Sequence, residues 1–140
     1  TAGSISSYIH TNGKIGVLIE IACETDFVAK NEQFQNMAKE LCIQIAAMSP
    51  TVVSREDLPK EVIDREREFY RQEVKDKPPQ IVDKIVEGKL EKLFYTQKCL
   101  LEQPFVKEDK IKIADFVKGY IAKLGENIVV RRFIRFEIGK

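Results

Sequence analysis

Histidine is almost missing from this chain of 140 residues, in which His10 stands alone. Cysteine is scarce as well, and Cys23, Cys42 and Cys99 form no CxxC pair. One histidine without a cysteine cluster excludes the usual zinc sites and most histidine-based nucleophilic catalysis. An odd number of separated cysteines argues against a disulfide framework and favours a reducing compartment. We expect Cys23 and Cys42 to be small hydrophobic residues of the core.

Long apolar runs, a strong net charge and glycine fingerprints are also missing. No apolar stretch approaches the roughly 18 residues of a membrane span, and no signal peptide is visible. The net charge of +1 argues against a general binder of nucleic acids or membranes. There is no Walker or dinucleotide-binding motif, and no paired carboxylates lie in an apolar context. We therefore predict a protein that is not an enzyme and has no cofactor or bound metal.

The composition that remains is that of one globular domain, with 44% hydrophobic and 32% charged residues. Apolar side chains alternate around the dipeptide Asn12-Gly13, which predicts an antiparallel hairpin of residues 4–11 and 14–23. Such a two-residue turn needs positive φ at both positions. A third alternating run, residues 128–138, predicts a strand that returns to the hairpin.

Between the strands, apolar residues recur at helical spacing. This spacing predicts about four helices, around residues 34–48, 55–74, 81–94 and 113–124. We interpret residues 99–111 as a loop. Segregated strands and helices predict an α+β fold, in which a three-stranded antiparallel sheet, the hairpin plus the returning C-terminal strand, packs with these helices.

The last strand mixes basic and aromatic residues, and it allows two interpretations. Arg131, Arg132 and Arg135 could belong to a stacking platform for single-stranded nucleic acid, so that the protein would be an α+β nucleic-acid-binding module. The alternation, in which Arg132 is the one polar residue on the apolar register, favours instead a half-exposed strand, with arginines on the wet face and Ile134 and Phe136 facing inward.

The stretch Thr25-Asp26-Phe27-Val28 follows directly after the second predicted strand. Thr25 suits a helix N-cap, and Asp26 suits the first helical turn. Phe27 and Val28 could simply close the core, or the ring could be meant for another protein. The tripeptide DFV recurs at residues 115–117 inside a clean helical stripe, so it carries little information by itself.

The longer context is more specific. The segment SYIHTNGKIGVLIEIACETDFVAKNEQFQNMAKELCIQIAA resembles the core of bacterial-type elongation factor Ts, the nucleotide exchange factor for elongation factor Tu. KPPQIVDKIVEGKLEK, LLEQPFVK and LGENIVVRRFIRFEIGK are similar to later blocks of that family, in the same order. The resemblance covers residues 4–139. It implies that residues 1–140 form the family's core (dimerisation) domain.

The resemblance also implies a function without covalent chemistry. Thr25, Asp26, Phe27 and Val28 would displace the Mg²⁺ of elongation factor Tu, with Phe27 wedged into an apolar pocket of the partner. His10 is a possible second contact. The expected partners are elongation factor Tu, GDP-bound or nucleotide-free, and a second copy of the chain, but no membrane and no direct nucleic acid. The expected compartment is the cytoplasm or an organellar matrix.

Two departures from the family pattern accompany the resemblance. Family members usually begin with a small three-helix domain, similar to ubiquitin-associated domains, and we do not expect this domain within residues 1–140. Longer members carry the core module twice, whereas this chain carries it once and therefore resembles the short form. The first residue, Thr1, is not Met, which leaves open whether the chain is a fragment or a processed form.

Overall fold

The computed structural model describes residues 1–140 and has an α+β architecture. Its strands are Ala2–Ile9 (β1), Ile15–Cys23 (β2), Pro104–Phe105 (β3), Glu108–Lys112 (β4) and Val129–Glu137 (β5). Its α-helices are Asp26–Ala29 (α1), Glu32–Met48 (α2), Lys60–Glu73 (α3), Pro79–Lys89 (α4), Tyr95–Lys98 (α5) and Ile113–Leu124 (α6). The predicted three-stranded antiparallel sheet is confirmed, with the strand order β1–β2–β5. The four predicted helices correspond to α2, α3, α4 and α6, since α1 and α5 are single turns.

The N-terminal hairpin is confirmed, but its turn is not the predicted one. Strands β1 and β2 are antiparallel, and their paired residues run from Ala2 opposite Cys23 to Ile9 opposite Gly16. Of the two turn residues, only Gly13 has a positive φ, +70°. The side-chain oxygen of Asn12 accepts a hydrogen bond from the Lys14 N–H at 2.9 Å. This side-chain bond shapes a longer connection that needs a single left-handed residue, so the expected two-residue turn is wrong.

The main core lies between the inner face of the sheet and helices α2 and α6. Strand β2 contributes the alternate residues Val17, Ile19 and Ile21, all buried. The predicted stripe of α2 is buried too, except at its end: Phe34, Met37, Leu41 and Ile45 are covered, whereas Met48 is exposed. The helix ends at Ser49, whose backbone is left-handed, directly before Pro50.

Strand β5 contains a bulge that the alternation pattern does not reveal. Ile21 pairs with Val130, but the preceding Glu20 pairs with Arg132. Arg131 is therefore an extra residue opposite the β2 strand. An extra residue in a strand moves every later side chain to the opposite face of the sheet.

The bulge makes the predicted facing of β5 wrong. Ile134 and Phe136 point outward, and they are 45% and 68% exposed. Arg135 points inward instead, where its guanidinium donates hydrogen bonds to the carbonyl oxygens of Ile45 (3.2 Å) and Ala46 (2.9 Å). These carbonyls belong to the last turns of α2, where a helix favours a positive charge.

Residues 99–111 are not a loop, contrary to our prediction. They contain a 3₁₀ turn, Leu100–Glu102, and the β3–β4 hairpin. The buried amide of Gln44 in α2 fixes this hairpin by donating to the Pro104 carbonyl oxygen (3.0 Å) and accepting from the Val106 N–H (2.9 Å). The two strands are short and mostly exposed, so they lack the alternation from which a strand is predicted.

A second, smaller cluster lies beneath the helical hairpin of α3 and α4. Helix α4 continues at its C-terminal end through a π-helical turn, Leu90–Phe94, into α5. The buried residues of this cluster are Leu58, Tyr70, Val74, Val82, Val86, Leu90, Phe94, Tyr95 and Cys99.

All three cysteines are free thiols. Burial raises the pKa of Cys42 to about 11 and that of Cys99 to about 12. No helix combines the length and the apolar character needed to cross a membrane.

Candidate functional site

Residues 25–28 lie where β2 gives way to α2, and three of them form most of the short helix α1. Thr25 has an extended backbone and is the N-cap, because its Oγ1 accepts a hydrogen bond from the Val28 N–H at 3.2 Å. Asp26 follows in the first turn, where a carboxylate is favoured by the positive end of the helix. The local geometry agrees with the N-cap predicted from the sequence.

The turn directs Phe27 and Val28 to opposite sides. Val28 is buried in the main core. Phe27 is 82% exposed, more than any other large hydrophobic side chain of the protein. The second DFV tripeptide behaves differently, since Phe116 packs on Phe105 with 4.5 Å between ring centroids. The same three residue types thus give one half-buried ring and one exposed ring, and only the tertiary context separates them.

The groups beside Phe27 do not form a reactive centre. The Asp26 carboxylate is exposed and makes no hydrogen bond or ion pair with another side chain or with the backbone. Burial raises the pKa of the nearby Cys23 thiol, which donates a hydrogen bond to the Thr25 carbonyl oxygen at 3.2 Å. No group of three or more His, Cys, Asp or Glu side chains is placed to hold a metal ion. The turn therefore presents an aromatic ring and a carboxylate to solvent, without an activated nucleophile.

A distant segment holds the N-terminal side of the turn. Glu126, in the connection from α6 to β5, accepts hydrogen bonds from the backbone N–H groups of Glu24 (3.0 Å) and Thr25 (3.1 Å). Its second oxygen accepts the Thr25 hydroxyl at 2.7 Å. In return, the Glu24 carboxylate accepts the Asn127 N–H at 2.6 Å. Two connections about 100 residues apart in sequence are thereby joined.

The C-terminal side of the turn is held from α2. The Gln35 side chain donates a hydrogen bond to the Ala29 carbonyl oxygen at 2.6 Å. Asn31 is the N-cap of α2 and accepts the Gln33 N–H at 2.7 Å. Because Ala29 is also buried, α1 is fixed at both ends while its Phe27 side chain remains outside.

His10, the other predicted contact, lies far from Phe27. It follows β1 at the end of the sheet next to Ile15, whereas α1 follows the opposite end of β2. The length of the strands separates the two residues by roughly 25 Å. The imidazole is exposed, and its Nδ1 lies 2.9 Å from the Tyr8 hydroxyl. The structure therefore does not bring His10 into one site with residues 25–28.

The three arginines of β5 do not form one basic surface. Arg131 and Arg132 are exposed, and the Arg132 guanidinium pairs with the Glu20 carboxylate at 2.7 Å. Arg135 is directed inward to the end of α2. A platform that requires all three guanidinium groups on one face is therefore absent.

Strand β5 contributes instead to an exposed apolar surface, which we term the outer sheet face. This surface consists of Ile5, Ile9, Leu18, Ile134, Phe136 and Ile138. The register places Leu18 opposite Ile134, so the apolar side chains of neighbouring strands lie side by side. Contiguous apolar surface of this kind is typical of an interaction site.

Comparison with known proteins gives the family. The family model described as elongation factor TS matches residues 1–140. The chain is 55% identical to elongation factor Ts of Thermodesulfovibrio yellowstonii over 139 residues, which is 99% of this chain and 69% of that protein. The chain belongs to the elongation factor Ts family. The resemblance identified from the sequence blocks is therefore confirmed.

Other elongation factor Ts proteins agree to a similar extent. The Thermotoga maritima protein is 55% identical over 138 residues, with 99% of this chain and 69% of that protein covered. The Caldanaerobacter subterraneus protein is 51% identical over 140 residues, with 99% and 70% covered. The chain thus corresponds to about 70% of the length of these relatives. Membership of the elongation factor Ts family places the protein in translation elongation.

The sequence reasoning missed the residues that support the turn. Glu126, Glu24 and Gln35 were not candidate residues, although their side chains hold both ends of α1. Glu126 follows Gly125, the left-handed residue that ends α6, and this position predicts a surface turn rather than a long-range contact. Even with the elongation factor Ts motif in view, no local pattern links it to residues 24–25.

Proposed function

We propose that this chain is a guanine nucleotide exchange factor for elongation factor Tu, which it binds in the GDP-bound and nucleotide-free states without covalent chemistry. The observation that supports the proposal is the exposure of Phe27, 82%, on a turn anchored at both ends. A ring held rigidly outside its own core suits insertion into an apolar pocket of a partner. Membership of the elongation factor Ts family supports elongation factor Tu as that partner.

The energies involved are compatible with this role. Transfer of the Phe27 ring from water to a protein pocket contributes ~1.5–3 kcal/mol. A 100- to 1,000-fold loss of GDP affinity corresponds to a coupling of roughly 3–4 kcal/mol. By linkage, nucleotide weakens binding of the exchange factor by the same factor. The ring and a disturbed metal site together could supply such a coupling, after which GTP rebinds and releases the factor.

Each residue of the turn has a distinct part in the proposal. Phe27 enters the partner and displaces one of its helices. Asp26, whose carboxylate has no partner within this protein, perturbs the waters and hydrogen bonds around the Mg²⁺ of elongation factor Tu. Thr25 caps α1. Val28 was expected to take part directly, but its side chain is buried, so we assign it the anchoring of the turn. His10 provides a separate contact at the other end of the sheet.

The test is stopped-flow release of fluorescent GDP from elongation factor Tu. The unmodified protein should accelerate release, and Phe27→Ala should reduce the acceleration about 10- to 100-fold, as expected from loss of the ring's burial energy. Phe69→Ala is the matched control, because Phe69 is also an exposed phenylalanine but lies on α3. Equal release rates for Phe27→Ala and the unmodified protein would contradict the proposal.

We also propose that two copies associate through the outer sheet face. All six side chains of this face are exposed in one chain, which favours their burial against an identical surface. Two twisted sheets pack face to face about 10 Å apart with interdigitating side chains, and this face has the required apolar residues. The Glu20–Arg132 ion pair lies beside Leu18 and Ile134 and would form part of the rim.

Sedimentation velocity tests this association. The unmodified protein should sediment as a dimer, and Phe136→Asp should sediment as a monomer because a carboxylate cannot be buried unpaired in an apolar interface. Phe69→Asp, an equal change on an exposed phenylalanine of α3, should leave the dimer intact. A monomer in all three samples would exclude the interface.

A further inference from the structure

We propose that Glu126 is a positioning residue for Phe27, an inference that rests on the exchange activity proposed above. Glu126 does not belong to the turn, yet its carboxylate accepts three hydrogen bonds from Glu24 and Thr25. Oε1 accepts the Glu24 N–H (3.0 Å) and the Thr25 N–H (3.1 Å), and Oε2 accepts the Thr25 hydroxyl (2.7 Å). One side chain thus holds two consecutive peptide groups and the N-cap side chain of α1.

The hydroxyl contact determines how Thr25 caps the helix. A threonine hydroxyl has a single proton, and here Glu126 accepts it. The oxygen lone pairs of Thr25 are then free to accept the Val28 N–H at 3.2 Å. A chain of contacts therefore runs from Glu126 through Thr25 to the backbone of α1, on which Phe27 stands. Loss of the carboxylate frees the hydroxyl to rotate and weakens the cap.

The contact is also reciprocal, which makes it a clamp rather than a single bond. The Glu24 carboxylate accepts the Asn127 N–H at 2.6 Å, next to Glu126. The burial of Val28 and the Gln35 contact act on the C-terminal half of α1. At its N-terminal end the only other side-chain contact from outside the turn is the weak hydrogen bond from the Cys23 thiol to the Thr25 carbonyl oxygen. This end of the helix thus depends chiefly on the clamp to the connection between α6 and β5.

A positioning role predicts a specific kinetic signature. Without the clamp, Phe27 is still exposed and can still be buried in a partner, so affinity should change little. The ring would sample more orientations, and fewer complexes would have the geometry that distorts the nucleotide site. We expect Glu126→Ala to lower the maximal rate of GDP release about tenfold and to shift the half-saturating concentration less than threefold. Glu126→Gln, which retains one oxygen acceptor, should lie between Glu126→Ala and the unmodified protein.

The control is Asp57→Ala. The Asp57 carboxylate accepts the N–H and the hydroxyl of Ser54 (3.2 and 3.3 Å), the same chemistry in a turn that adjoins Leu58 of the second, smaller cluster. Circular dichroism of each variant monitors the fold. Asp57→Ala should leave the release rate unchanged, and an equal loss in both variants would reduce Glu126 to a general structural role.

A double-mutant cycle with Phe27→Ala decides whether Glu126 acts through the ring. In the Phe27→Ala background, Glu126→Ala should have no further effect on release, whereas an additive loss would overturn the inference. Should Phe27→Ala itself have no effect, the proposed function fails and amide hydrogen exchange tests the clamp separately. Faster exchange at Glu24 and Thr25 in Glu126→Gln supports the clamp, and unchanged exchange refutes it.

Discussion

Replacement of Arg135 by alanine tests the least expected feature of the fold, the reversal of β5 after its bulge. In the structure, the guanidinium of Arg135 is inside the sheet and donates to the carbonyl oxygens of Ile45 and Ala46. If β5 continued its alternation without the bulge, Arg135 would be a solvated arginine, and its removal would cost almost nothing. The two registers therefore predict different stabilities for the same variant.

The magnitude follows from the contacts that are lost. A hydrogen bond from a charged donor contributes about 1.5–3 kcal/mol, and a cation at a helix C-terminus about 0.3–1 kcal/mol. The Arg135 side chain is 15% exposed, so water replaces only part of these contacts. We expect Arg135→Ala to lower the free energy of unfolding by about 2–3 kcal/mol. For a domain of this size that corresponds to a decrease in Tm of about 6–12 °C.

Thermal unfolding followed by circular dichroism provides the measurement, and Arg132→Ala is the matched control. The Arg132 side chain is 81% exposed and pairs only with Glu20, an interaction that contributes about 0–1 kcal/mol at a surface. Arg132→Ala should therefore change Tm by less than about 3 °C. A larger effect for Arg132→Ala than for Arg135→Ala would refute the bulge and the register derived from it.

Two further predictions concern the cores. Phe116→Ala should lower the free energy of unfolding, measured in urea, by about 2–3 kcal/mol, because the half-buried ring packs on Phe105. If the variant lost exchange activity without losing stability, the structural role assigned to this second DFV tripeptide would be wrong. In the native protein, a thiol reagent should modify Cys23 first and leave Cys42 and Cys99 unmodified, because the latter two are fully buried and have raised pKa values. Equal labelling of all three cysteines, measured by mass spectrometry, would contradict the burial of Cys42 and Cys99.

The sequence was sufficient for features that depend on local periodicity. The hairpin of β1 and β2 and the helices α2 and α6 were predicted because residues two, three or four positions apart share one face. The buried alternation of β2 has the same origin. The α+β class followed from the order of these elements along the chain. The Thr25 cap could also be predicted, since capping involves neighbours only three residues apart.

Features that depend on contacts between distant parts of the chain could not be predicted from the sequence. The bulge at Arg131 is set by pairing with β2, more than 100 residues away, and one extra residue reverses every later side chain. The β3–β4 hairpin depends on the buried Gln44 of α2 rather than on its own pattern. The clamp between Glu126 and Thr25 likewise joins separate parts of the chain. None of these interactions leaves a periodic signal in the residues that make it.

The candidate site combines both kinds of information. Periodicity cannot distinguish Phe27 from Phe116, because a helical turn can place either ring inside or outside. What separates them is the anchoring of α1: Val28 is buried, Gln35 holds the C-terminal end and Glu126 holds the N-terminal end. Val28 keeps the ring on the solvent side of α1, and the contacts at both ends fix the backbone on which the ring stands. Exposure of Phe27 therefore survives loss of the clamp, whereas the rigid orientation of the ring against a partner depends on it.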